Sequence, residues 1–363
     1  MTKDTTLPSA TSAGDVSIRI AEKRVGARHP AYLIAEVAQA HDGSLGLAHQ
    51  FIDAAAEAGV DAIKFQTHFA SEESTLDEPF RVKFSKQDDT RFAYWKRMEF
   101  TDEQWAGLFE HSREKGLHLL SSAFSMRAFD LLNRLGMPAW KIASGEVASD
   151  DLIACMAATG KPVLLSTGMS AYDEIDKTVA FLRTKRAPLA IFQCTSRYPT
   201  PLEQVGLNVI DEFRDRFDCP AGLSDHSGVI FPSIFAIARG ADLIEAHITL
   251  DRRMFGPDVA SSLTVEEFSL VRQARDAFTA MDAHPVEKDV MAVELKQMRE
   301  LFQKSLAVTH ALPAGGTLTR AVLTTKKPGT GISAREIERV LGRRLVRGVS
   351  PDRVLTWDDI DEQ

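Results

Sequence analysis

His226 and His247 are the first residues to question, because each directly follows a short apolar run and they stand 21 residues apart. Neutral imidazoles at matching positions on neighbouring strands could converge on one divalent cation, leaving its other positions to water and substrate oxygens. A pair of core histidines satisfied by hydrogen bonds is the competing reading. Lys64 and Lys141 emerge from two other apolar runs, where a lysine supplies point charge to a phosphate or carboxylate. Glu36, Gln66, His68, Ser121, Ser122, Ser144, Glu146, Ser166, Thr167, Thr195, Ser196, Tyr198, Ser224 and Asp225 occupy comparable positions after such runs. Any one serine there reads most simply as a helix N-cap. Polar residues at the same end of every run, with turns at Gly145 and Gly168, read instead as an anion cradle at one rim. Asp258, after the Gly256–Pro257 turn, could orient a ligand or touch substrate.

The elements that must carry these residues alternate. Short, nearly all-apolar runs at 32–37, 62–66, 118–121, 139–142, 163–165, 189–193, 221–223 and 243–246 predict eight parallel strands buried on both faces. Amphipathic stretches separate them at 48–58, from Thr101, and at 125–135, 172–183, 208–217, 231–239 and 265–281. The first should stop at Gly59, and the second should open with a capping box of Thr101 and Gln104. Strand–helix alternation over about 250 residues is the arithmetic of a (β/α)8 barrel, whose loops gather at the strands' C-terminal ends. A doubly wound open sheet is the alternative, but no G-x-G-x-x-G follows the first strand.

The polar segment 69–94 interrupts the pattern as either a lid or specificity loop or a decorative insertion. Beyond Met281 a charged connecting helix is expected over 285–304, then a small β-rich domain with turns at 313–316 and 328–331 and helix at 334–341. The expected organisation is a flexible tail at 1–16, a barrel at 17–282, a linker helix at 283–304 and a second domain at 305–363. The chain has 363 residues, 44% of them hydrophobic and 26% charged, which is globular usage. A net charge of −8 without a basic block argues against nucleic acid as a partner. Neither a membrane-spanning run nor a secretory leader is seen, and three cysteines without C-x-x-C spacing point to reduced thiols in the cytoplasm.

LIAEVAQAHDGSL (33–45), AIKFQTH (62–68), WKIASGE (140–146), GKPVLLSTGMS (160–170), QCTSRYPTP (193–201), GLSDHS (222–227) and IEAHITLD (244–251) together resemble the sialic acid synthase family. That family comprises the N-acetylneuraminate synthases and their legionaminate and pseudaminate relatives. The segment from Lys304, through KKPGTGIS, is similar to the antifreeze-like (SAF) domain that follows the barrel in those enzymes. The resemblance implies condensation of phosphoenolpyruvate with the open-chain aldehyde of an N-acetylated hexosamine, with loss of phosphate. It puts Lys64, Lys141, Ser144, Ser166, Ser196 and Ser224 around phosphoenolpyruvate. It makes His226 and His247 ligands of a divalent metal, manganese first, with magnesium or cobalt as alternatives. Glu36, Gln66, Tyr198, Asp258 and Lys327 then face the sugar, Glu36 and Glu146 are the candidate bases, and the assembly is a domain-swapped homodimer.

The chain departs from the family pattern at four places. Ala40-His41-Asp42-Gly43 stands for N-H-x-G, and Ser196 for the asparagine after Cys-Thr. Gln193 replaces a histidine, and Lys327 replaces the arginine of a K-R-P-G turn, keeping charge but losing the bidentate fork. These changes predict an acceptor other than plain N-acetylmannosamine. Two other readings stay open at this point: a Schiff-base aldolase of the pyruvate-lyase type using Lys141, and a non-catalytic carbohydrate-binding protein.

Overall fold

The computed structural model describes residues 16–362, so the tail read over 1–16 lies, but for Val16, outside the described residues. The chain divides into two compact units, one running to Ala283 and one from His284.

The first unit opens with an antiparallel hairpin, β1 (Ser17–Ile20) and β2 (Lys23–Gly26). Eight strands follow: β3 (Tyr32–Ala38), β4 (Ala62–Thr67), β5 (His118–Ala123), β6 (Trp140–Ile142), β7 (Val163–Ser166), β8 (Leu189–Cys194), β9 (Ala221–Asp225) and β10 (Leu243–Ile248). Each pairs in parallel with the next in sequence, and β10 pairs with both β9 and β3, so the sheet closes as a (β/α)8 barrel. Closure removes the free edges that the open-sheet alternative would have kept. A two-residue strand, β11 (Ser262–Leu263), extends β10.

Helices α1 (Leu45–Ala58), α2 (Ala70–Glu73), α3 (Arg91–Met98), α4 (Asp102–Glu114), α5 (Met126–Arg134), α6 (Asp150–Ala158), α7 (Tyr172–Thr184), α8 (Asn208–Phe217), α9 (Phe231–Ala238) and α10 (Val265–Asp282) complete the unit. The local signals work as the residue types require. Ser44 caps α1, and Gly59 ends it at φ 74°, a left-handed conformation that costs glycine little. Thr101 and Gln104 form the expected reciprocal box at the start of α4. Helix α6 lacks a sequence signal because DDLIACMAA has no polar stripe to set a period, although Leu152, Ile153, Met156 and Ala157 are the face it buries. The insertion after β4 is not bare loop, since it carries α2 and α3.

Side chains alternate across every barrel strand, and this alternation builds the site. Leu33, Ala35, Ile63, Phe65, Trp140, Leu165, Ile191 and Ile244 face outward into the core shared with the helices. Ile34, Ala62, Leu120, Leu164, Ala190, Phe192 and Leu243 face inward as an apolar floor, packed with Ile18, Ile20 and Val25 of the hairpin. Further along, the inward side chains become polar at Glu36, Lys64, Ser122, Lys141, Ser166, Ser224 and Glu245, while β8 ends in the thiol of Cys194.

In the second unit the expected connecting helix is two short ones, α11 (Lys288–Glu294) and α12 (Lys296–Phe302), divided where Leu295 takes ψ 18°. Strands β12 (Ser305–Val308) and β13 (Leu323–Lys326) pair antiparallel, and α13 (Ile337–Val340) follows a 3-10 turn. A small core of Leu306, Val308, Leu318, Ile332, Val340 and Leu355 holds this unit. Asp359, wholly buried, accepts from Arg353 Nη1 at 2.7 Å and Arg347 Nε at 2.5 Å.

Candidate active site

The polar layer above the floor surrounds a cavity of about 520 Å3 at the C-terminal ends of the strands. Its wall includes Glu36, Lys64, Gln66, Lys141, Ser144, Glu146, Ser166, Ser196, Tyr198, Ser224, His226, His247 and Asp258. Of the residues named from the sequence, Ser121, Thr167, Thr195 and Asp225 are not part of this wall, and Lys327 belongs to the second unit, exposed with its Nζ 5.0 Å over the Phe302 ring.

Glu245 was not among the expected residues, yet it ties the charges together. Lys64 and Lys141, each 3% exposed, both reach it: Lys141 Nζ lies 3.1 Å and Lys64 Nζ 3.9 Å from Glu245 Oε1. Register explains the rest of the chain of charges. Glu36 sits opposite Lys64 on adjoining strands and forms an ion pair with it, and Glu245 sits opposite Ser224, whose hydroxyl donates to it at 3.2 Å. The signal for Glu245 was in the sequence, two residues before His247 on the same strand face.

Burial sets the protonation tendencies. It pushes the Glu36 carboxyl up to about 7, with the Lys64 ammonium pulling the other way and the Glu245 charge adding to the rise. Burial also opposes ionisation of Glu245, but the ammoniums of Lys141 and Lys64 outweigh it and hold that carboxyl below its ordinary value. Lys64 is held above its ordinary value because Glu245 and Glu36 overcome its desolvation. Lys141 falls below, chiefly through burial. Its Nζ donates to Ser166 Oγ at 2.6 Å.

Hydroxyls line the neighbouring wall. Gly168 N–H donates to Ser144 Oγ at 3.0 Å, and a Cβ on Gly168 would come 2.4 Å from Ser196 Oγ, so only glycine lets these groups converge. Cys194 adds a thiol 3.8 Å from Ser144 Oγ. Glu146 closes the 3-10 turn Ser144–Glu146, half-buried, and accepts from Ser149 Oγ at 2.6 Å.

The two histidine rings lie 5.2 Å apart between centroids. His226 Nδ1 donates to the Thr195 carbonyl at 3.0 Å, which leaves the Nε2 lone pair toward the cavity, where the Tyr198 hydroxyl donates to it at 3.1 Å. His247 is pushed well below its ordinary value by burial and by the charges of His226, Lys64 and Lys141, so its imidazole is neutral. Burial opposes a charge on His226, but the Cys194 thiol and the Thr195 carbonyl outweigh it and hold that imidazole above its ordinary value. Two imidazoles with ring nitrogens at one cavity fit a divalent cation that displaces any ring proton and completes its coordination with water and substrate oxygens. No group of three or more histidine, cysteine or acidic side chains suited to a metal occurs among the described residues. At the rim, Arg81 from the insertion stacks over Tyr198 at 4.5 Å and reaches Asp258 at 3.5 Å.

The geometry can bind a small polyanion against paired lysines and hydroxyls, beside a cation site, under a partly aromatic rim. Comparison with known proteins agrees. The NeuB family model matches residues 51–285 and the SAF domain model residues 303–361. The chain is 32% identical over 330 residues to N,N'-diacetyllegionaminic acid synthase of Campylobacter jejuni, covering 89% of this chain and 98% of that one. It is 31% identical over 344 residues to human N-acetylneuraminate-9-phosphate synthase, covering 93% and 94%. Among solved structures it is similar to an N-acetylneuraminic acid synthetase from Leptospira borgpetersenii in complex with citrate, at TM-score 0.68, 28% identity and coverage of 78% and 96%. A spore coat polysaccharide biosynthesis protein of Bacillus subtilis superposes at TM-score 0.64, with 28% identity and coverage of 96% and 99%.

Proposed function

This chain belongs to the NeuB family and carries a SAF domain, and from that premise we propose that it condenses phosphoenolpyruvate with the aldehyde of an N-acetylated amino sugar. The products are a nonulosonic 2-keto-3-deoxy acid and phosphate. The observation that carries the reading is the pair of buried lysines, Lys64 and Lys141, sharing one cavity with the imidazoles of His226 and His247.

Lys64, Lys141 and the hydroxyls of Ser144, Ser166, Ser196 and Ser224 hold the phosphate and carboxylate of phosphoenolpyruvate. Gln66, Tyr198 and Asp258 hold the sugar, with its aldehyde toward the histidines. C3 of the enol attacks the aldehyde carbon, forming the new C–C bond, and the carbonyl oxygen takes up a proton. Water adds to C2 and loses a proton to a carboxylate. The C2–O bond to phosphate then breaks, leaving the keto acid. Glu36 suits the base, because a carboxyl pushed up to about 7 exchanges protons near neutral pH; Glu146 is the second candidate. His226 and His247 would hold a divalent metal, manganese first, which when bound supplies Lewis-acid polarisation of the aldehyde.

The departure at Lys327, on the sugar-facing side, supports an acceptor other than plain N-acetylmannosamine, while Ser196 weakens one contact to phosphoenolpyruvate. The resemblance also supports a homodimer in which the SAF domain of one copy covers the barrel mouth of the other, with Lys327 directed to the sugar, and light scattering tests it. A cytoplasmic location goes with the reading, and the free thiols of Cys155, Cys194 and Cys219 support it. The deciding assay is phosphate release from phosphoenolpyruvate across a panel of hexosamine aldehydes, with and without manganese after chelation. A clear preference for N-acetylmannosamine would refute the acceptor proposal. Inactivation by borohydride with pyruvate would instead identify a Schiff-base aldolase.

A further inference from the structure

His68, at the end of β4, is buried between two rings: Trp95 at 4.1 Å and Phe124 at 4.5 Å between centroids. Its Nδ1 meets the carboxylate of Glu73, on α2 of the insertion. Its Nε2 lies 3.2 Å from Gln66 Oε1. Once Glu36 is ionised, above about pH 7, groups other than His68 orient the Gln66 amide. Gln66 Nε2 donates to Glu36 Oε1 at 3.1 Å, and Gln66 Oε1 accepts from Gln39 Nε2 at 3.2 Å. Turning that amide over would set its oxygen against the Glu36 carboxylate. Both atoms that face the imidazole are then acceptors, an arrangement that suits a ring donating from both nitrogens.

We infer that Glu73 holds His68 as an imidazolium, and that His68 is a positioning residue whose two N–H groups lock the Gln66 amide and through it Glu36. The inference rests on the reading of Glu36 and Gln66 given above and adds a connection to it. The relay runs from the insertion to the carboxylate at the reacting carbons, so α2 has a task in the chemistry rather than in the surface alone. The groups facing His68 are Glu73 from α2, Gln66 from its own strand, Trp95 from α3, Phe124 after β5, and the nearby His41. His41 is pushed down to about 3, by burial first and then by the His68 charge, and remains neutral beside it. Arg91 lies over the Trp95 ring at 4.8 Å, and Glu73 is the carboxylate that meets the His68 ring itself.

The experiment uses the full chain with selectively 15N-labelled histidine. At pH 8 the His68 signal should show two protonated ring nitrogens, and in Glu73→Gln one of them should lose its proton. In kinetics, His68→Phe keeps a flat ring between Trp95 and Phe124 while removing both donors. It should lower kcat about tenfold or more while leaving KM for phosphoenolpyruvate within about twofold. An unprotonated ring nitrogen in the unmodified protein at pH 8 overturns the inference, as does a folded His68→Phe variant with kcat within about twofold of the parent. Should His68→Phe fail to fold, the Glu73→Gln spectrum and kcat decide the matter. The proton count needs no turnover, so a chain inactive on every acceptor would sink the synthase reading and still leave the state of His68 measured.

Discussion

Replacing Glu245 with glutamine should unsettle the barrel and at the same time make it hungrier for anions. The side chain keeps its volume, so no cavity forms, and only one negative charge leaves a site where two lysines share it. At the 3.1 Å separation of Lys141 and Glu245 the attraction is about 5 kcal/mol with an effective dielectric constant near 20. The 3.9 Å contact with Lys64 adds about 4 kcal/mol on the same basis. Much of this only offsets the cost of burying the charges, and breaking a buried pair typically costs about 3 kcal/mol or somewhat more. For a unit of this size that corresponds to a fall in Tm of roughly 6–12 °C. Inorganic phosphate or phosphoenolpyruvate should then raise the Tm of Glu245→Gln more than that of the parent, because the anion replaces the missing carboxylate between the lysines. Thermal unfolding with and without each anion measures both effects. A variant within about 2 °C of the parent, or equal stabilisation of both proteins by phosphate, would refute the account of the paired lysines.

The other expectations concern separate parts of the molecule. Gly168→Ala sets a methyl 2.4 Å from Ser196 Oγ and 2.7 Å from Cys194 Sγ, so KM for phosphoenolpyruvate should rise about tenfold with little change in Tm. The raised Glu36 carboxyl keeps its proton in the folded state up to about 7 but releases it at a lower pH when unfolded, so stability should fall as pH rises from about 4.5 to 7. Unfolding across that range should show a slope that Glu36→Gln flattens. Ile20→Ala, in the hairpin under the barrel, should cost about 2–5 kcal/mol in chemical denaturation while leaving both KM values unchanged. Asp359→Asn should loosen the second unit by leaving Arg353 and Arg347 short of their acceptor, and limited proteolysis should cut that unit sooner than the barrel.

The eight barrel strands were legible because each is a short apolar run bounded by turn residues, and the strand-end polar residues were legible once a barrel was inferred. What escaped notice has physical causes. Glu245 lies inside the apolar run of β10, one inward step deeper than His247, with the same spacing of two that Lys64 and Gln66 show on β4. The hairpin at 17–26 was passed over because SIRI and KRVG are too short to announce themselves without the floor they cover. Glu73 and Arg81 could not be connected to His68, Asp258 and Tyr198 from sequence, because those contacts depend on how the insertion folds back over the rim.

The hairpin has a consequence for traffic through the enzyme. With Ile18, Ile20 and Val25 stopping the far end of the barrel, reactants and products share one doorway. The lysines stand at the back of that room, and Asp258, Tyr198 and Arg81 stand at its threshold. Whatever the lysines grip has to enter before the threshold is occupied, and it can leave only after the threshold clears. Kinetics with both substrates varied should accordingly show compulsory order, with the phosphorylated substrate first.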